Sequence, residues 1–295
     1  MLGDDTIRTA LRTSWHLPPD GCTRLTGGMT SVTFMVTVGS DRYVAKVVPT
    51  ALQSQFEAGL SMAEALSRVN IDAGSPVRTV DGSLTTPLVG GALGLLRFVG
   101  GRPLDACDQL DQQWWGDRLG AAHRKLAGFT HPGTPRWHWV RPDAEHLDLE
   151  PWLRPAVGSA VAELTRLQVT DRLSVGALHG DPAAEAFLLD PATGRIGIID
   201  WGSCVTGPHV YDLASAVMYA GGIHRAAALI EAYSAAGPVP RGEIEAALPT
   251  LLRFRWAVQA DYFAQRITTR DTTGIADPAE NIKGLHDARD ALRTG

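Results

Sequence analysis

The sequence contains only three cysteines, Cys22, Cys107 and Cys204, and no CxxC pair. That excludes a disulfide framework and a thiolate zinc site of the usual spacing. An odd number of scattered thiols reads as reduced cysteines, and a cytoplasmic location is expected. No apolar run approaches the ~18 residues a membrane helix needs. The stretch from Pro87 to Phe98 is apolar but short and broken by glycine. The first residues, Met-Leu-Gly-Asp-Asp, lack a basic region followed by an apolar core, so no secretory signal is expected. The formal charge of -5 is spread along the chain without a basic stripe, which argues against nucleic acid as a partner. GxGxxG, Walker A and HExxH motifs are absent, as are internal repeats and low-complexity segments.

What the chain does have is enough apolar content, 44% of 295 residues, for one large domain or two smaller ones. Hydrophobic spacing predicts an opening helix over 4–15, strands around residues 23–38 and 43–48, and a helix from Ala51 to Val69. Strands over 77–80, 84–88 and 93–99 complete an antiparallel sheet. This α+β lobe, 1–99, ends at Gly100-Gly101-Arg102-Pro103, which reads as a hinge. Beyond it, 100–295 is mostly helical, with helices near 110–129, 152–169, 210–220, 223–236, 241–270 and 278–292.

The densest chemistry lies between His179 and Asp212. Asp200 follows the apolar run Ile196 to Ile199, and a carboxylate at the mouth of a buried strand needs a partner. Phe187-Leu188-Leu189 and Ile196 to Ile199 read as strands joined by a turn-rich linker. An antiparallel hairpin with Leu189 opposite Ile196 sets Glu185 opposite Asp200. Opposed residues have Cβ atoms roughly 4.5–5.5 Å apart, and a divalent cation between two such carboxylates turns repulsion into attraction. His179-Gly180-Asp181 is a fixed polar turn that offers Asp181 as a base, with His179 bracing the loop. Asp212 is expected either to accept hydrogen bonds from this loop or to cap a helix.

Three features lie upstream. Thr26 to Ser31 is a glycine turn between strands, where Gly27, Gly28, Thr30 and Ser31 either approach phosphate oxygens or simply close a hairpin. Lys46, alone among apolar residues in its strand, suits phosphate contact or edge protection. Glu57, or Glu64 seven residues on, is the expected partner for Lys46. Trp114, Trp115, Trp137, Trp139 and Trp152 read as core anchors, with substrate stacking as the alternative.

Together, Lys46, the helix acid, HGD, and the strand-end Asp200-Trp201-Gly202 followed by Tyr211-Asp212-Leu213-Ala214-Ser215 resemble the aminoglycoside phosphotransferase and choline kinase superfamily. The resemblance runs from about Leu25 to Ala220. It implies a two-lobed protein-kinase-like fold and an ATP- or GTP-dependent kinase of a small hydroxyl-bearing molecule, an antibiotic among the candidates. It also implies Lys46 on the α- and β-phosphates with Glu57 beside it, and Asp181 as base. Asp200 becomes the magnesium ligand, and Leu95 to Gly100, with Phe98 and Val99, the hinge that holds the adenine or guanine ring. One position departs from the pattern: the family's HGDxxxxN asparagine is Ala186, which has no oxygen to offer. Glu185 is the nearest substitute for Mg2+. A nucleotide-binding pseudokinase is the alternative raised by Ala186. A metal-dependent hydrolase built on His179, Asp181, Asp200 and His209 lacks the usual motif spacing.

Overall fold

The computed structural model describes residues 3–25, 28, 31–137 and 140–294. In chain order the elements are α1 (Asp4–Ser14), β1 (Gly21–Arg24), β2 (Val32–Val38), β3 (Asp41–Pro49), α2 (Gln53–Ser67), β4 (Pro76–Val77), β5 (Thr85–Leu88), β6 (Gly91–Arg97) and β7 (Arg102–Pro103). They continue as α3 (Gln109–Lys125), α4 (Leu153–Thr170), β8 (Val175–Leu178), β9 (Phe187–Leu189), β10 (Ile196–Ile198), β11 (Val205–Pro208), α5 (His209–Tyr219), α6 (Ala227–Ala236), α7 (Arg241–Thr269) and α8 (Ala279–Thr294). The α+β class read from the sequence is the class observed. Among the described residues, no helix is long and apolar enough to cross a membrane.

The chain forms two compact units. The first comprises Met1–Pro103, Phe129–Pro135 and Ala186–Cys204. Its antiparallel sheet runs β1-β2-β3-β6-β4, with β5 also on β6. Side chains alternate across each strand. Phe34, Val36, Tyr43 and Ala45 therefore enter a core with Ile7 and Leu11 of α1, while Thr33, Met35, Val44 and Lys46 share the opposite face. Acids in the first turn of α1 (Asp4, Asp5) and Arg12 in its last match the helix dipole. Pro49 ends β3, and a short 3₁₀ turn over Thr50–Leu52 leads into α2.

The segment from residue 186 to 204 belongs to this first unit, although the division at residue 99 assigns it to the helical part. Strand pairing and backbone hydrogen bonds hold it there. β9 pairs with β7, the Ile198 N–H donates to the Asp72 carbonyl at 2.8 Å, and Gln55 Nε2 donates to the Cys204 carbonyl at 3.0 Å.

The second unit comprises Leu104–Gly128, Arg136–Glu185 and Val205–Gly295. Helix α3 starts at Asp108, whose side chain accepts from the N–H groups of Leu110 and Asp111. α5 is buried along nearly its whole length and packs on α7, which also carries α4 and α8. The two-stranded pair β8–β11, missed by sequence periodicity because each strand is four residues long, delivers the chain to His179 at one end and to α5 at the other.

Candidate active site

The first unit encloses a cavity of about 390 Å³. Its walls come from the Thr33–Met35–Val44–Lys46 face of the sheet, from Phe56, Leu60 and Ala63 of α2, and from Leu188 and Ile199 of the β9–β10 hairpin. Gly28 and Ser31 reach the wall as well, and Gly28 has φ +94, a conformation suited to glycine. Gly27 and Thr30 lie outside the described residues. Phe98 and Val99 line the cavity just past the end of β6. The Phe98 N–H donates to the Arg42 carbonyl at 3.2 Å, and the Arg42 guanidinium lies 4.0 Å over the Phe98 ring.

Lys46 forms an ion pair with Asp200 on this cavity. The lysine side chain is largely buried, while the Asp200 side chain is 61% exposed. Asp200 itself adopts the left-handed conformation at φ 66, ψ 49, which aspartate tolerates better than most residues. The turn after it, Trp201–Ser203, is clamped from two sides: the Trp201 indole donates to the Ile198 carbonyl at 3.0 Å, and α2 approaches so closely that a Cβ on Gly59 would stand 2.2 Å from the Trp201 carbonyl oxygen. Only a glycine fits there.

The expected Lys46–Glu57 pair does not form. Glu57 accepts from Thr85 Oγ1 at 2.6 Å and from Gln53 Nε2 at 3.0 Å. Glu64 pairs with Arg78 and Arg68 and is held below the usual carboxylate range by the Arg78 hydrogen bonds. Each acid is satisfied by nearer donors, and Asp200 takes the lysine. The hairpin register is Leu189 opposite Ile196, as expected, and the Ile199 N–H donates to the Ala186 carbonyl at 2.8 Å just beyond it. The ladder ends at Phe187 opposite Ile198, Glu185 lies in a 3₁₀ turn (Ala184–Ala186), and Asp200 has left the extended region. Strand-pair spacing does not apply to them, and Glu185 falls in the second unit while Asp200 falls in the first.

In the second unit, the HGD turn is gripped through its backbone. Asp212, fully buried on α5, accepts from the N–H of His179 at 2.7 Å and of Gly180 at 3.0 Å. His123 Nε2 lies 3.0 Å from the same carboxylate, and its Nδ1 lies 2.8 Å from the Tyr233 hydroxyl. Burial alone would raise the Asp212 carboxyl; the His123 hydrogen bond and charge, with help from His179, hold it below the usual range. His209 stacks against His123 with ring centroids 4.6 Å apart. Burial, reinforced by His123, pushes His209 down to about 3, so its ring is neutral at pH 7. The His179 ring points back into its own turn, 3.4 Å from the Asp181 N–H. The Trp115 indole donates to the Pro182 carbonyl at 3.1 Å and is fully buried, an anchor under the loop. Trp114, Trp137 and Trp152 are half-buried, and Trp139 lies outside the described residues.

Asp181 is half exposed, and its Oδ1 accepts from the Tyr219 hydroxyl at 2.5 Å and from Arg255 Nη2 at 3.3 Å. Neither partner was singled out in the sequence. The signals were present: Tyr219 stands seven residues after Asp212 on one helix face, and Arg255 lies in the apolar stretch Phe254 to Val258.

Among the described residues, no group of three or more His, Cys, Asp or Glu side chains could hold a metal ion alone. The donor set suits a cation that brings most of its own ligands. Magnesium bound with nucleotide phosphates, which needs one or two protein carboxylates, meets that description. Asp200 is the carboxylate that lines the cavity.

A family model described as the Phosphotransferase enzyme family matches residues 21–245. No curated protein sequence matches. Among solved structures, the chain is similar to an amicoumacin kinase in complex with AMP-PNP, Ca2+ and Ami (18% identity, 99% of this chain and 94% of that one, TM-score 0.77). It is also similar to a microcompartment-associated aminopropanol kinase (19%, 98% and 95%, TM-score 0.75) and to a choline kinase from Streptococcus pneumoniae (14%, 99% of both chains, TM-score 0.70). At these identities the likeness is one of fold.

Proposed function

Because the chain belongs to the phosphotransferase enzyme family, whose model spans residues 21–245, we propose that it moves the γ-phosphate of ATP or GTP to a hydroxyl of a small molecule, with Asp181 as the base. The observation that carries this reading is the Lys46–Asp200 ion pair on an apolar cavity of about 390 Å³, beside the glycine turn. The apolar walls suit a base ring, and the charged pair suits a metal-chelated phosphate tail. Phosphoryl transfer asks the protein for positioning and charge neutralisation rather than covalent chemistry.

Asp200, with Glu185 as second candidate, would hold Mg2+, which when bound neutralises charge on the phosphates. Lys46 exchanges its contact with Asp200 for the α- and β-phosphate oxygens. Asp181 accepts the proton of the acceptor hydroxyl. The hydroxyl oxygen bonds to Pγ, the bond from Pγ to the bridging oxygen breaks, and the nucleoside diphosphate leaves with that electron pair. The acceptors named for the fold neighbours, an antibiotic and amino alcohols, define the first compounds to test.

The test is diphosphate release from ATP and from GTP across antibiotics, sugars and amino alcohols, repeated with Asp181→Asn. Turnover that falls by about 10²–10⁴-fold in the variant, at unchanged thermal stability, supports the base. Unchanged turnover removes Asp181 from the chemistry. Ala186 in place of the family's asparagine favours a second reading, a nucleotide-binding module without turnover. Nucleotide-induced stabilisation with no diphosphate release over the whole panel would select it.

A further inference from the structure

Helix α5 faces the HGD turn with a row of polar groups. Asp212 holds the backbone at His179 and Gly180. One turn on, the Ser215 hydroxyl receives Arg255 Nε at 3.1 Å and itself donates to the Tyr211 carbonyl at 3.0 Å. A further turn on, the Tyr219 hydroxyl donates to Asp181 Oδ1 at 2.5 Å. Arg255, reaching over from α7, closes the array: Nη2 lies 3.3 Å from the same Oδ1 and 3.3 Å from the Tyr219 oxygen. Its guanidinium carbon stands 5.8 Å from the Tyr219 ring centroid. Asp181 Oδ2 makes no hydrogen bond among the described residues.

We propose that Tyr219 and Arg255 are positioning residues for the base: they pin one carboxylate oxygen of Asp181 so that the other is presented to the acceptor hydroxyl in a single orientation. This rests on the reading of Asp181 as the base. A free aspartate rotates about its terminal torsion, which is broad and roughly two-fold. Two donors on one oxygen stop that rotation. The Arg255 side chain is only 10% exposed and is fixed in turn by Ser215, so the clamp is itself held rigid. Burial works against a charged Arg255, but with the Asp181 carboxylate beside it the guanidinium is held above its ordinary range and stays protonated. A transition state that demands alignment more than base strength tolerates a cation on the base. The clamp therefore supplies orientation, and its loss appears in kcat.

The experiment compares Tyr219→Phe, Arg255→Gln, Arg255→Lys and Asp181→Asn, using ATP and the best acceptor from the screen. Tyr219→Phe is expected to lower kcat about 10-fold and Arg255→Gln about 10–100-fold, since small misplacement of a reacting group costs up to about 10²-fold. The KM for ATP stays within about twofold, and Arg255→Lys recovers part of the loss by keeping a charged donor. Circular dichroism melts of each variant set folding aside, and Tyr219→Phe keeps the packing if Arg255→Gln does not fold. A kcat within twofold of wild type in Tyr219→Phe, while Asp181→Asn is inactive, overturns the clamp and leaves the base intact. A loss of kcat matched by an equal rise in KM for ATP also overturns it. An active Asp181→Asn, or a wild type that releases no diphosphate with any acceptor, overturns the underlying reading.

Discussion

Asp212→Asn is the sharpest probe of how the His179-Gly180-Asp181 turn is held. The substitution is isosteric, so its cost is electrostatic and can be counted. The carboxylate receives the His179 N–H and His123 Nε2 on Oδ2 and the Gly180 N–H on Oδ1. An asparagine whose oxygen replaces Oδ2 turns its NH2 toward the Gly180 N–H, donor against donor. That leaves a buried donor unsatisfied, at about 1–3 kcal/mol, and converts charge-assisted bonds to neutral ones at about 1 kcal/mol each. The expected loss is about 3–5 kcal/mol. With an unfolding entropy of about 2.1 cal/mol/K per residue, a chain of this size shifts by about 1.6 °C per kcal/mol, so the Tm should fall by about 5–8 °C at pH 7. The pH dependence adds a second signature. The folded carboxyl lies below its unfolded range, so its stabilisation is fully present above the unfolded pKa of about 3.9 and fades as pH falls through the folded value. The gap between wild type and variant should be constant from pH 7 to about 5 and narrow only below about 4. Calorimetric melts from pH 3 to 8 measure both. A Tm within 2 °C (roughly 1 kcal/mol) of wild type at pH 7 would refute the count of donors on which the argument stands.

Two further outcomes follow from the packing. His209 is buried and titrates at about 3 against about 6.5 when unfolded, so the unfolded state gains a proton first as pH falls. Wild-type stability should decline by up to about 1.4 kcal/mol per pH unit between about pH 6 and 4, and His209→Asn should flatten that slope; parallel slopes in the two proteins would contradict the burial argument. In Gly59→Ala the new methyl collides with the Trp201 carbonyl, 2.2 Å from the ideal Cβ position, so the turn carrying Asp200 must move. Affinity for a nonhydrolysable ATP analogue in Mg2+ should fall at least 10-fold, as misplaced ligands generally cost, while unchanged binding calorimetry would show that the turn has room to shift.

Much of this architecture is written in local pattern. The β9–β10 hairpin was legible down to its register because Asp190 to Arg195 is rich in turn formers and the flanking runs are apolar on both faces. The bounds read for α1, α4, α5 and α7 lie within one residue of those observed. The partner of Lys46 was not legible. Glu57 and Glu64 sit on a sensible helix face, but Thr85 on β5 and Arg78 just past β4 reach them first, 28 and 14 residues away in sequence. The spacing of Glu185 from Asp200 was not legible either: a register extends only as far as the ladder does, and this one stops at Phe187.

The amino-acid order alone determined the α+β class, the family motifs and the identities of Lys46, Asp181, Asp200 and Asp212, because each is marked by its immediate neighbours in the chain. Tertiary structure decided which groups satisfy those side chains. It joined Lys46 to Asp200, placed Gly59 under Trp201, and brought Tyr219 and Arg255 to Asp181. A buried or half-buried charge takes the nearest donor in space, and hydrophobic burial, indifferent to sequence distance, is what sets those neighbours.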